Sequence, residues 1–191
     1  MTGAQLLRAA REATKTSQRA LARRTRVPQS SLSAIEHEDH DLNVETLARL
    51  MAGLDSQLIA LPSARLTAAR AAVLAGRSLR EGNIGKADIM VLQLGDDLAT
   101  AEPALRAALV ISPPPTTGDR RYDGWIAGLT EYRLAQVGIP APAWVHEPSR
   151  AADEDWAVGD IPGLTEVIRA ETPEPFSRRR ILISAADLVS V

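Results

Sequence analysis

Apolar side chains recur at helical spacing along the first third of the chain. Leu6 and Leu7 align with Ala10 and Ala13, Leu21 stands beside Ala22, Leu32 precedes Ile35, and Leu47, Leu50 and Leu54 follow at i, i+3 and i+7. The pattern predicts four or five short helices over residues 3–60. Pro62 and Ser63 restart the chain, and residues 63–80, 86–100 and 103–111 read as further helices, broken at Gly82–Gly85 and at Pro103. The run Ser112-Pro113-Pro114-Pro115-Thr116-Thr117-Gly118 blocks helix continuation and favours an extended spacer. After it, Tyr122, Trp125, Ile126, Leu129 and Tyr132 place their bulk on one helical stripe, with Gly138 positioned as a C-terminal stop. Pro140, Pro142 and Pro148 mark an irregular stretch, residues 161–171 read as a helix, and Ile181, Leu182 and Ile183 as a short strand.

The expected fold is therefore mainly α, with at most a short strand. Residues 1–61 form a first helical domain, 62–111 a helical bridge, 112–118 the spacer and 119–191 a mostly α C-terminal domain expected to serve interactions. All six aromatic residues follow position 121, so two styles of construction share the chain.

Within the first domain, Ser17 is placed to cap a helix opening at Gln18. A short turn at Thr25-Arg26-Val27 leads to Pro28, which is preset for the first turn of a second helix over residues 29–36. Leu32 and Ile35 anchor that helix, leaving Gln29, Ser30, Ser31 and Ser33 on its outer face. An amide can bond adenine in both directions, and hydroxyls serve base edges or phosphates. Charge agrees. Residues 1–35 carry seven basic side chains (Arg8, Arg11, Lys15, Arg19, Arg23, Arg24, Arg26) against Glu12 alone, a balance of +6 hidden within a net charge of -2. Residues 36–55 carry six acids against Arg49.

Ser17-Gln18, Leu21-Ala22-Arg23-Arg24, Val27-Pro28-Gln29-Ser30-Ser31-Leu32-Ser33, Ile35-Glu36 and Val44-Glu45-Thr46-Leu47 stand in the order and spacing of a known pattern. Over roughly residues 4–58 the chain resembles the Xre-type helix-turn-helix family of bacterial and phage repressors. The resemblance implies a five-helix repressor-like domain. It implies DNA contacts from Gln18, Gln29, Ser30, Ser31 and Ser33, phosphate contacts from Arg8, Arg19 and Arg23, and a structural ion pair between Arg11 and Glu36. It also implies a homodimer on double-stranded operator DNA, because such repressors read paired half-sites. The sequence departs from the family twice. Arg26 stands where the turn usually has glycine, and must adopt a left-handed conformation or sit in a differently shaped turn. The loop His37-Glu38-Asp39-His40-Asp41 is acidic where the family often presents a basic loop, which would repel phosphate.

In the last third, Arg121-Tyr122-Asp123, Glu131, Pro142-Ala143-Trp144-Val145, Pro175-Phe176 and Asp187-Leu188-Val189 resemble the C-terminal part of actinobacterial helix-turn-helix proteins associated with toxin-antitoxin loci. That implies a repressor of its own operon that holds a toxin protein through its aromatic half, with Trp144, Trp156 and Phe176 as candidate interface residues. The alternative is a protein-interaction adaptor with little DNA binding, against which the basic charge of residues 1–35 argues.

Other chemistry finds little support. The chain has no cysteine, which excludes thiolate metal sites, disulfides and thiol nucleophiles. The acidic run 36–41 reads as a solvated loop rather than a metal site, and Gly82-Asn83-Ile84-Gly85-Lys86 lacks the P-loop glycine and hydroxyl at Arg80 and Ala87. Asp153-Glu154-Asp155 reads as solvated, and Arg178-Arg179-Arg180 as a charged flank of the strand. No motif supports an enzyme, a cofactor or a metal. With no membrane span and no secretory stretch in Met1–Arg11, a cytoplasmic, nucleoid-associated protein is expected.

Overall fold

Thr2, Ser17 and Asn43 each stand in extended backbone immediately before a helix and accept a first-turn N–H with a side-chain oxygen. The computed structural model describes residues 2–38, 42–60, 63–159, 163 and 165–188. The chain is mostly helical and divides into two compact units, Met1–Ser63 and Ala64–Val191.

The first unit holds α1 (Gly3–Ala13), α2 (Gln18–Thr25), α3 (Gln29–Glu38) and α4 (Val44–Ala52) among its described residues. Thr2 and Gln5 form a reciprocal capping box at the start of α1. Leu7, Leu21, Leu32 and Leu50 are 0% exposed and pack with Leu47, Met51 and Leu54 into one core, flanked by Leu6, Ala10, Ala22, Val27, Ile35 and Leu42. Leu47 and Leu50 of α4, with Leu54 just beyond it, thus meet leucines from each of the other three helices.

The second unit is built around one helix. α5 (Ala68–Arg80), α6 (Ile84–Thr100) and α7 (Pro103–Val110) pack with α8 (Arg120–Ala135), followed by α9 (Thr165–Glu171) and α10 (Glu174–Ser177). Two short parallel strands, β1 (Trp156–Ala157) and β2 (Ile181–Leu182), pair Trp156 with Ile181 and Ala157 with Leu182. The single-striped helix expected over 122–132 is instead buried on every side: Tyr122 through Thr130 are all buried. Its glycines make this possible. A Cβ on Gly128 would lie 2.7 Å from Phe176 Cδ1, and one on Gly124 3.3 Å from Ile181 Cδ1.

The division into bridge, spacer and C-terminal domain needs correction. Residues 62–111 and 119–191 do not form separate domains, because the helices before the prolines and those after them belong to the same unit. Residues 112–118 are docked. Thr117 is 1% exposed, its N–H donates to Asp123 Oδ1 at 2.8 Å, and Thr116 Oγ1 donates to Asp123 Oδ2 at 2.6 Å. Arg150 donates to the Pro114 carbonyl, and a Cβ on Gly76 of α5 would lie 2.7 Å from the Thr117 carbonyl oxygen. Prolines stopped the helix as expected, but a buried carboxylate then fixed the segment.

Four further arginines missed as structural groups lie in this unit. Arg106, Arg133, Arg150 and Arg179 are 4–8% exposed, and each donates to backbone carbonyls of other segments. Arg106 alone reaches the carbonyls of Ala99, Ala101 and Arg133, at 2.9, 3.2 and 2.9 Å. The Arg178–Arg180 run is accordingly not a simple flank. Arg178 and Arg179 both pair with Glu131, and Arg180 donates to the Asp153 carbonyl. Burial opposes charge on Glu131, but the two guanidinium partners hold its pKa below the ordinary value. No described helix is long and apolar enough to cross a membrane.

Candidate nucleic-acid interface

Ser17 Oγ accepts the Ala20 N–H at 3.2 Å and so fixes the start of α2. The helix ends at Arg26, whose backbone is left-handed, φ 57° and ψ 26°. Of the two outcomes open to Arg26, the left-handed one is realised. Val27 and Pro28 then connect to α3, where the Pro28 carbonyl accepts the Leu32 N–H at 3.1 Å. A side chain bearing a Cβ costs roughly 1–2 kcal/mol in this conformation, part of which glycine would return through its freer unfolded chain. Arg26→Gly is therefore expected to raise the stability of the first unit by about 0.5–1 kcal/mol, measurable as a higher midpoint in denaturant by circular dichroism.

Leu32, at 0% exposed, pins α3 to the core and thereby orients the opposite side outward. Gln29, Ser30 and Ser31 are exposed, and Ser33 is half-buried. The first three have no hydrogen-bond partner among the described residues, so their donors and acceptors are free for a ligand. The helix runs two residues further than expected, so His37 and Glu38 belong to α3. His37 Nδ1 lies 2.8 Å from the Ser33 carbonyl, to which it donates. Residues 39–41 of the acidic loop lie outside the described residues.

Behind this face, Arg11 grips Glu36 with two parallel hydrogen bonds, Nε to Oε1 at 2.7 Å and Nη2 to Oε2 at 2.8 Å. Arg11 also donates to the Thr16 carbonyl at 3.1 Å, and Gln18 Nε2 donates to Glu36 Oε2 at 2.9 Å. One carboxylate thus joins α1, the start of α2 and α3. Burial opposes the charge on Glu36, whose side chain is 3% exposed. The bonds from Arg11 and Gln18 and the charges of Arg11 and Arg8 prevail, and its pKa lies below the ordinary value. Gln18, expected at the DNA, is anchored here by its amide nitrogen while its oxygen stays free to accept.

The expected phosphate contacts are exposed. Arg19 and Arg23 share one face of α2 at i and i+4. Arg8 donates to Glu12 at 3.0 Å with both side chains more than half exposed, a pair that holds it weakly enough for a phosphate to compete. Arg24 behaves differently: it donates to the Gly53 carbonyl at 3.2 Å and lies 3.7 Å from Asp55, tying α2 to the end of α4. A short-range charge count could not separate it from its neighbours.

The aromatic interface residues are corrected. Trp144 is 4% exposed and its Nε1 donates to the Val110 carbonyl at 2.9 Å, while Phe176 is 0% exposed against Gly128. Both serve the core. Trp156 is half-buried, with its ring 5.4 Å from Tyr122 and 5.8 Å from Trp125.

A capped helix, a tight turn, and a second helix with free polar side chains beside exposed arginines define a helix-turn-helix DNA-binding domain. Residues 7–61 match the family model HTH_3, Helix-turn-helix, a domain of the kind that DNA-binding transcriptional regulators carry. Comparison with curated proteins and with solved structures gave no match.

Proposed function

We propose that the protein is a sequence-specific transcriptional repressor that reads operator DNA with the outer face of α3. The observation that carries this reading is the set of unpartnered side chains Gln29, Ser30 and Ser31, held outward by buried Leu32 and flanked by exposed Arg19 and Arg23. Gln29 bonds a base edge, Ser30 and Ser31 reach base edges or phosphate, Ser33 and the Gln18 oxygen extend the contact, and Arg8, Arg19 and Arg23 neutralise phosphates. One such domain neutralises few phosphates, so a homodimer on paired half-sites supplies the affinity. Control of its own operon and capture of a toxin rest on the resemblance of the C-terminal part, and the burial of Trp144 and Phe176 removes two of the residues that would have formed the toxin surface.

Fluorescence anisotropy of the full chain on its own upstream DNA and on scrambled duplex, over a salt series, tests the reading. Preference for the upstream DNA by about 1,000-fold, with affinity falling steeply as salt rises, is expected. Gln29→Ala should cost about 1–3 kcal/mol and relax preference at one position, whereas Arg19→Ala should lower the salt slope by about 1 without changing preference. Equal weak binding to both duplexes would overturn the repressor and favour the adaptor.

A further inference from the structure

The second unit contains a cleft of about 530 Å³ where the end of α5, the start of α6, the loop before α8 and β1 converge. That volume is in the range of small-molecule sites, and its lining is divided chemically. Leu79, Ile84 and Trp156 form an apolar wall, and Ile84 is 60% exposed although it opens a helix in a well-packed unit. Tyr122 extends the wall, its hydroxyl donating to Asp88 at 2.5 Å. Burial, together with that carboxylate, pushes the Tyr122 hydroxyl well above the ordinary phenol range, so it stays a donor.

Two cations line the cleft and differ in state. Arg121 is already satisfied: it grips Asp119 at 2.6 and 3.0 Å, and its guanidinium carbon lies 5.5 Å from the centre of the Trp156 ring. Arg80 is exposed and has no hydrogen-bond or ion-pair partner among the described residues. Of the acids nearby, Asp119 is paired with Arg121, Asp88 accepts from the neutral Tyr122 hydroxyl and keeps its charge, and Glu81 is exposed beside Arg80 without pairing with it. The cleft therefore offers one guanidinium without a direct partner beside an apolar, partly aromatic surface.

We propose that this cleft binds a small planar aromatic carboxylic acid, its ring against Ile84, Leu79 and the edge of Trp156 and its carboxylate on Arg80. The chemistry selects that class. A neutral ring would leave Arg80 unpaired, and a small inorganic anion would leave Ile84 and Leu79 wet. A bulky dianion would exceed the single free cation. This site is independent of the DNA-reading face, which lies in the other unit.

The test is titration calorimetry of the full chain with 2-naphthoate and with its neutral counterpart 2-naphthamide. The acid is expected to bind about threefold to fivefold more tightly, the upper range for one exposed charge pair. Arg80→Gln should abolish that ratio while leaving amide binding in place, and Ile84→Glu, on the exposed rim, should weaken acid binding more than amide binding. Neither substitution touches the core. Absence of binding by both compounds, equal affinity for the two, or an acid preference that survives Arg80→Gln overturns the proposal.

Discussion

Arg11→Met is expected to destabilise the first unit by about 3–5 kcal/mol, the cost of stranding a buried charge whose partner is removed. Glu36, 3% exposed, would keep only the Gln18 amide. A unit of this size has a total stability on the order of 3–9 kcal/mol, so the variant would be largely unfolded or close to it. The pH dependence carries a sharper signature. In the native chain the depressed pKa of Glu36 means that its contribution is fully present above the unfolded value, about 4.3, and is lost as pH falls through the folded one. In Arg11→Met, burial is the largest influence left on that carboxyl. Its pKa then rises, and protonation favours folding, so stability from this group increases as pH falls. Urea midpoints between about pH 3 and pH 7 should therefore change in opposite directions in the two proteins. Far-ultraviolet circular dichroism is the right probe, because the first unit contains no aromatic residue. Equal slopes would show that the pair is dispensable to the fold.

Trp125→Ala is expected to cost the second unit about 3–5 kcal/mol. The ring is 0% exposed at the centre of α8, and packs on Tyr122 at 6.0 Å and on Trp156 at 5.8 Å. Its Nε1 has no hydrogen-bond partner among the described residues, so its contribution is that of an apolar surface. Trp125→Phe, which keeps a ring and gives up that N–H, should lose clearly less than the alanine variant. Denaturant unfolding followed by the fluorescence of Trp144 and Trp156 measures this unit selectively, since all three tryptophans lie within it. A small effect of Trp125→Ala would mean that α8 is not the element around which the unit is organised.

The contrast between the two units explains what a reader of the sequence can see. The first is governed by local rules: a hydroxyl at Ser17 caps, Pro28 precedes a helix, and leucines at helical spacing find one another across short turns. Its partners are close in sequence or fixed by a familiar pattern, as Arg11 and Glu36 are. Arg26 was recognisable as a misfit for the same reason. The second unit is governed by distant encounters. Nothing near Thr117 announces that Asp123 will bond its N–H or that Gly76 will admit its carbonyl, so three prolines read as a spacer. Strand β1 consists of two residues and exists only because Ile181 and Leu182 lie alongside it. Trp144 and Phe176 sit in irregular, proline-containing sequence that resembles surface, and their burial is decided by α7 and α8. The cleft beside Arg80 likewise depends on four segments meeting, and Gly82–Lys86 appeared in sequence only as a failed phosphate loop.

The arginines that grasp carbonyls in the second unit have a consequence for its chemistry. Arg106, Arg133, Arg150 and Arg179 fasten loops that are far apart in the chain, a task that many small folds give to disulfides, and this chain has no cysteine. Such fasteners are indifferent to reductants and oxidants. The irregular segments should therefore hold together across redox changes that would undo disulfide ties.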